Sequence, residues 1–105
     1  MQNKEDKMAI TTVSRWKGDR EKALPIAREI APLLKRHGAV SVRFGDCHSG
    51  PYAGQIFVAI TYPDGATYGR ALQAQSEDAQ FQKAYAEASK IAELQDRSVL
   101  VTQDL

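Results

Sequence analysis

The sequence predicts an α+β fold whose strands and helices follow the order β-α-β-β-α-β. Three observations lead there. Stretches rich in β-branched residues or alternating apolar with polar occur at residues 8–16, 39–46, 55–62 and 97–102. Apolar residues spaced by three and four recur over residues 20–37 and again around residues 81–92. Gly, Pro and Asp punctuate the intervals between them.

Each element has its own argument. Residues 8–16 contain no Gly or Pro and read as a first strand, which Lys17, Gly18 and Asp19 close, with Asp19 placed to cap a helix. In residues 20–37, Ala23, Ile26, Ala27, Ile30, Leu33 and Leu34 share one helical face. Pro25 and Pro32 interrupt that face, because each lacks an N–H and collides with the carbonyl four residues back. A break or kink is therefore expected near Pro32. Lys35, Arg36 and His37 suit the negative end of a helix dipole, and Gly38 suits a left-handed cap. Val40, Val42 and Phe44 alternate with Ser41 and Arg43 in a second strand. Ile56, Val58 and Ile60 alternate with Phe57, Ala59 and Thr61 in a third. The connection between these two strands is a loop around residues 47–53. Asp64 can cap a short helix over residues 66–74. Ser76, Glu77 and Asp78 open a longer helix with the apolar stripe Phe81, Ala84, Tyr85, Ala88, Ile91 and Ala92. Lys83, Glu87, Lys90 and Glu93 are expected on its wet side, and residues 97–102 form the last strand.

Right-handed crossovers place both helical regions on one face of a four-stranded antiparallel sheet, the ferredoxin-like arrangement. Val40, Val42, Phe44, Ile56, Val58 and Ile60 form the set expected to face the helices. The other face carries Thr11, Val13, Ser41, Phe57, Ala59, Thr61 and Leu100. It is apolar enough that a second copy of the chain, paired sheet to sheet, is the expected cover.

Composition bounds the function. A length of 105 residues suits one domain, read as residues 8–105 behind a polar, disordered tail at residues 1–7. The 14 Lys and Arg against 13 Asp and Glu leave a net charge of +1, which argues against a broad nucleic-acid or anionic-membrane surface. The tail lacks the apolar segment of a secretion signal, and no apolar run approaches the ~20 residues that span a bilayer. The lone Cys47 allows no intrachain disulfide. The expected setting is the cytoplasm, with neither nucleic acid nor membrane as partner. RNA recognition motifs share this topology, but only Phe57 among the middle strands could stack a base.

Local patterns add a resemblance. Gly38 and Ala39 lead into the second strand, and Gly54 opens the third. Tyr62, Pro63 and Asp64 are followed by Tyr68 and Gly69, and Ser76, Glu77, Asp78, Ala79, Gln80 and Phe81 precede the long helix. Across residues 8–105 this resembles the dimeric α/β-barrel superfamily, which includes antibiotic-biosynthesis monooxygenases, haem-degrading oxygenases, muconolactone isomerases and stress-responsive barrel proteins. The resemblance implies a fold and a homodimer more than an activity. Haem-degrading members rely on an Asn, a Trp and a His. Here no Asn follows Asn3 and the one Trp is on the first strand, so haem is not expected.

A barrel cavity is the expected ligand site. Arg43, opposite in phase to Val42 and Phe44, is a candidate to hold a carboxylate or phenolate. His48, Tyr52, Tyr68 and Trp16 complete the candidate ligand-binding set. Cys47 and His48 are sequence neighbours and point apart, so they form neither a nucleophile–base pair nor half of a metal clasp, and no metal or cofactor is expected. The expected function is binding or transformation of a small, partly apolar, conceivably anionic molecule. Any catalysis would resemble that of a cofactor-independent monooxygenase or an isomerase. The alternative is a non-catalytic structural or interaction dimer with a filled barrel.

Overall fold

The structure, a computed structural model, describes residues 8–105; the tail expected at residues 1–7 lies outside the described residues. Strands β1 (Ala9–Gly18), β2 (Ser41–Asp46), β3 (Ile56–Tyr62) and β4 (Ala92–Thr102) form one antiparallel sheet in the order β2-β3-β1-β4. Helices α1 (Arg20–Arg36), α2 (Gly65–Glu77) and α3 (Ala79–Ile91) complete the ferredoxin-like order, the second helical region being split in two.

Helix α1 runs without the expected break. Pro25 and Pro32 are both exposed, two turns apart on the solvent side. The carbonyls they orphan, those of Glu21 and Arg28, belong to exposed residues, so water can satisfy them and the helix continues. Asp19 caps its start by accepting from the Glu21 and Lys22 N–H groups. At the other end Gly38 turns the chain at φ +112°, and a Cβ there would lie 2.6 Å from the Thr67 methyl.

Two boundaries depart from expectation. Helix α3 passes into β4 with no loop, so β4 begins at Ala92 rather than Arg97. Ala92 and Glu93 read as helix in the sequence, but they pair with Gly18 and Lys17 of β1. The β1–β4 register shifts between Arg15 and Trp16, leaving Gln95 as the extra residue of a bulge. Helix α2 also extends to Glu77, and Asp78 both ends it and caps α3.

Register settles the two faces. Ile10, Thr12, Ser14 and Trp16 of β1 lie beneath the helices with Val42, Phe44, Ile56, Val58 and Ile60. Val40 is a correction, being 61% exposed ahead of β2; buried Ala39 takes its place in the core. Thr11, Val13, Phe57, Ala59, Thr61 and Leu100 share the opposite face, which no helix covers. Gly45 sits opposite Phe57 there, and a Cβ on it would meet the ring at 2.6 Å.

Beneath the helices the core forms two clusters. Ile10, Leu33, Leu34, Ala39, Tyr62, Ala71 and Phe81 pack at one end. Trp16, Ile56 and Ala92 pack at the other. Between them Val58 and Ile60, on a central strand and facing the helices, stay only half-buried.

Asp78 joins α1 to α3. It accepts from the Gln80 and Phe81 N–H groups and from Arg36 Nη2 at 3.0 Å, and its Oδ2 lies 2.7 Å from His37 Nε2. These contacts, His37 foremost and the Phe81 N–H next, hold its carboxyl at about 2, below the ordinary 3.8. A folded-state value below the unfolded one means that the carboxylate stabilises the fold above 3.8 and loses that effect as pH falls towards 2. Asp78→Asn keeps a capping oxygen but removes the charge. The variant is expected to unfold at lower urea than wild type at neutral pH, with the gap closing as pH falls from 3.8 to about 2. A gap that persists unchanged to the acid end would show that the charge is not what matters.

Candidate functional site

The gap between the two core clusters is a cavity of about 430 Å³, within the range of small-molecule sites. Its floor is the helix-covered sheet face: Thr12 and Ser14 of β1, Val42 and Phe44 of β2, Val58 and Ile60 of β3. Its roof comes from α1, α2 and α3, where Ala27, Ala31 and Ala88 line it beside larger side chains such as Ile30, Leu72 and Tyr85. Small side chains at the middle of each helix leave the sheet unfilled, whereas Leu33, Leu34 and Phe81 close one end.

Polar groups are few. At one end the buried Trp16 donates its indole N–H to Ser14 Oγ at 2.9 Å, which satisfies the one buried polar side chain of β1. The Trp16 ring meets Tyr85 edge-on, with centroids 5.9 Å apart. Arg97 of β4 donates from Nη2 to the Tyr85 hydroxyl at 3.1 Å. At the other end Tyr62, only 2% exposed, accepts from Gln75 Nε2 at 2.9 Å and tilts against Tyr68 with centroids 5.4 Å apart. Burial pushes the Tyr62 phenol above its ordinary value, so it stays a neutral hydroxyl at neutral pH. The described lining residues include no carboxylate, imidazole, thiol or ammonium.

The five sequence candidates separate into three places. Trp16 and Tyr68 line this cavity. Arg43 projects from the opposite, uncovered sheet face and is exposed, because the residues in phase with the core on β2 are Val42 and Phe44. His48 is exposed in the β2–β3 loop. Tyr52, in the same connection, donates to Asp96 Oδ2 at 2.9 Å, and its ring lies under the Arg15 guanidinium at 4.6 Å. Arg15 also bonds Asp96 Oδ1 at 2.8 Å. Arg15 first and Tyr52 second lower the Asp96 carboxyl, and the bond to Asp96 raises both partners. This cluster fastens the β2–β3 loop to β4 beside the uncovered face. Within one chain, Trp16 and Tyr68 share this cavity, while Arg43, His48 and Tyr52 lie outside it. Sequence reasoning missed Ser14, Gln75 and Arg97 as site residues, and placed Tyr85 only in the apolar stripe of its helix. Among the described residues no group of three or more His, Cys, Asp or Glu could hold a metal ion. Among the described residues no helix is long and apolar enough to cross a membrane.

A family model for a domain of unknown function, DUF6854, matches residues 6–101. No curated protein matches the sequence. Among solved structures the chain is similar to SnoaB, a cofactor-independent oxygenase from Streptomyces nogalater (TM-score 0.67, 14% identity, covering 92% of this chain and 95% of that one). It is also similar to a conserved protein of unknown function from Bacteroides thetaiotaomicron (TM-score 0.60, 16% identity, 94% and 99% covered). A third is an antibiotic biosynthesis monooxygenase (TM-score 0.58, 15% identity, 91% and 98% covered). These likenesses show the fold, the ferredoxin-like arrangement of the monooxygenase-like proteins that the sequence resembles.

Trp16 anchors the smaller cluster and one wall of the cavity. Trp16→Ala is expected to cost about 3–5 kcal/mol. Trp16→Phe keeps an aromatic ring but leaves Ser14 Oγ without its donor, at about 1–3 kcal/mol. Urea unfolding followed by circular dichroism measures both. Two variants as stable as wild type would show that this cluster contributes nothing to the fold.

Proposed function

We propose that this chain, which belongs to the DUF6854 family, takes a small, largely apolar molecule into the cavity between its sheet and helices and works as a homodimer paired through the uncovered sheet face. The observation that carries the first part is the divided core. Val58 and Ile60 lie where a domain of this size needs packing, yet stay half-buried and face a cavity of about 430 Å³. A chain selected only to pack would fill that space. The similarity to a cofactor-independent oxygenase and an antibiotic biosynthesis monooxygenase agrees with a small-molecule site.

Chemistry in the cavity would have to work with hydroxyls, two carboxamides, an indole and guanidinium groups. These can orient a substrate and hydrogen-bond to a developing oxyanion, but they supply no ordinary base near neutral pH. Isomerisation or cofactor-independent oxygenation of a molecule that ionises readily by itself asks for no more than that. The dimer rests on a separate argument. Val13, Phe57 and Ala59 are half-buried without any helix over them, and Leu100 is 46% exposed beside them. A second sheet would remove this surface from water at about 25 cal/mol for each Å² of apolar area.

Two measurements test these parts separately. N-phenylnaphthylamine, a neutral apolar dye, is expected to bind wild type saturably with a rise in fluorescence. Ala27→Phe, which puts a ring into the cavity roof, should abolish that rise while keeping the melting temperature. Binding indifferent to Ala27→Phe would place the dye elsewhere and remove the basis for the cavity reading. Sedimentation should show a wild-type dimer at micromolar concentration, converted to monomer by Ala59→Asp at the middle of the uncovered face. A well-folded wild-type monomer would contradict the dimer.

A further inference from the structure

We infer that the cavity selects an apolar molecule bearing one anionic group, a carboxylate or its equivalent, and that Arg97 with the Tyr85 hydroxyl holds that group at the cavity mouth. This rests on the cavity reading above and adds the charge of the ligand and the residues that recognise it.

The observations concern charge. Two arginines, Arg97 of β4 and Arg28 of α1, line the cavity, and no described lining residue is acidic. Three arginines of the fold have carboxylates close by: Arg15 has Asp96 at 2.8 Å, Arg20 has Asp46 at 3.0 Å and Arg36 has Asp78 at 3.0 Å. Arg97 has no carboxylate partner among the described residues; its bond is to a neutral phenol. A guanidinium carries five N–H donors in a planar fork. One engages Tyr85, which leaves the rest of the fork to an acceptor from outside.

Geometry makes the pair convergent. Arg97 stands opposite Ser14 on the helix-facing side of the sheet, and it is exposed while lining the cavity, which marks the mouth. Tyr85 accepts the Arg97 N–H, so its own O–H hydrogen is free to donate. A carboxylate set against the pair accepts from the guanidinium with one oxygen and from the phenol with the other. Charge-assisted bonds of this kind are about twice as strong as neutral ones. The apolar body of the ligand then lies inwards over Val58 and Ile60.

Anilinonaphthalene sulfonate and N-phenylnaphthylamine form a matched pair of dyes with the same apolar body, one anionic and one neutral. Wild type is expected to bind the anion about tenfold more tightly. Arg97→Gln should erase that preference without changing affinity for the neutral dye, and Tyr85→Phe should reduce it several-fold. Arg97→Lys should retain part of it. Equal affinity of wild type for both dyes, or a preference that survives Arg97→Gln, would overturn this inference while leaving the cavity reading intact. Binding of neither dye, or binding of both that Ala27→Phe does not disturb, would overturn the two together.

Discussion

A four-stranded sheet has two faces, and in this protein neither is closed by the chain's own residues. The helices cover one face without filling the space over it, and the other face has no helix at all. That single constraint, too little large apolar side chain to cover both sides of β1 and β3, organises the remaining features. It divides the core into a larger cluster around Tyr62 and a smaller one around Trp16, and it leaves Val58 and Ile60 half-buried between them. The alanines at the middle of α1 and α3 are its cause at the level of sequence. They make good helix but fill little volume.

The charged groups follow the same division. Carboxylates sit outside the cavity, where they fasten elements together: Asp96 ties the β2–β3 loop and Arg15 to β4, and Asp78 ties α1 to α3. Inside and at the rim, hydrophobic walls carry a small number of donors. Stability therefore depends on the two ends and on these ties, while the middle is left unfilled.

Much of the fold was legible because its signals are local. Alternation in β2 and β3, the shared face of α1, the caps Asp19 and Asp64, and Gly38 each depend on nearby residues. The errors arose where a tertiary partner decides. Ala92 and Glu93 continue a helical pattern, but pairing with Gly18 and Lys17 makes them strand. The prolines of α1 break a helix only where their orphaned carbonyls are buried, and here they face water. The site was less legible than the fold. Arg43 was singled out because it sits in clear alternation with Val42 and Phe44, whereas Arg97 was read only as the start of the last strand. Arg97 keeps phase with Val99 and Val101 beneath the helices, and the bulge at Gln95 offsets that phase from the first residues of β4.

The claim that the unfilled, helix-covered side of the sheet is the binding site is open to a direct measurement. Nuclear Overhauser contacts from bound N-phenylnaphthylamine to assigned methyl groups distinguish the two faces, because Val58 and Ile60 lie on one and Val13 and Leu100 on the other. Contacts to Val58, Ile60 and the Ala27 methyl, with none to Val13 or Leu100, are the result this account requires. Contacts to Val13 and Leu100 instead would put the ligand between sheets and contradict it.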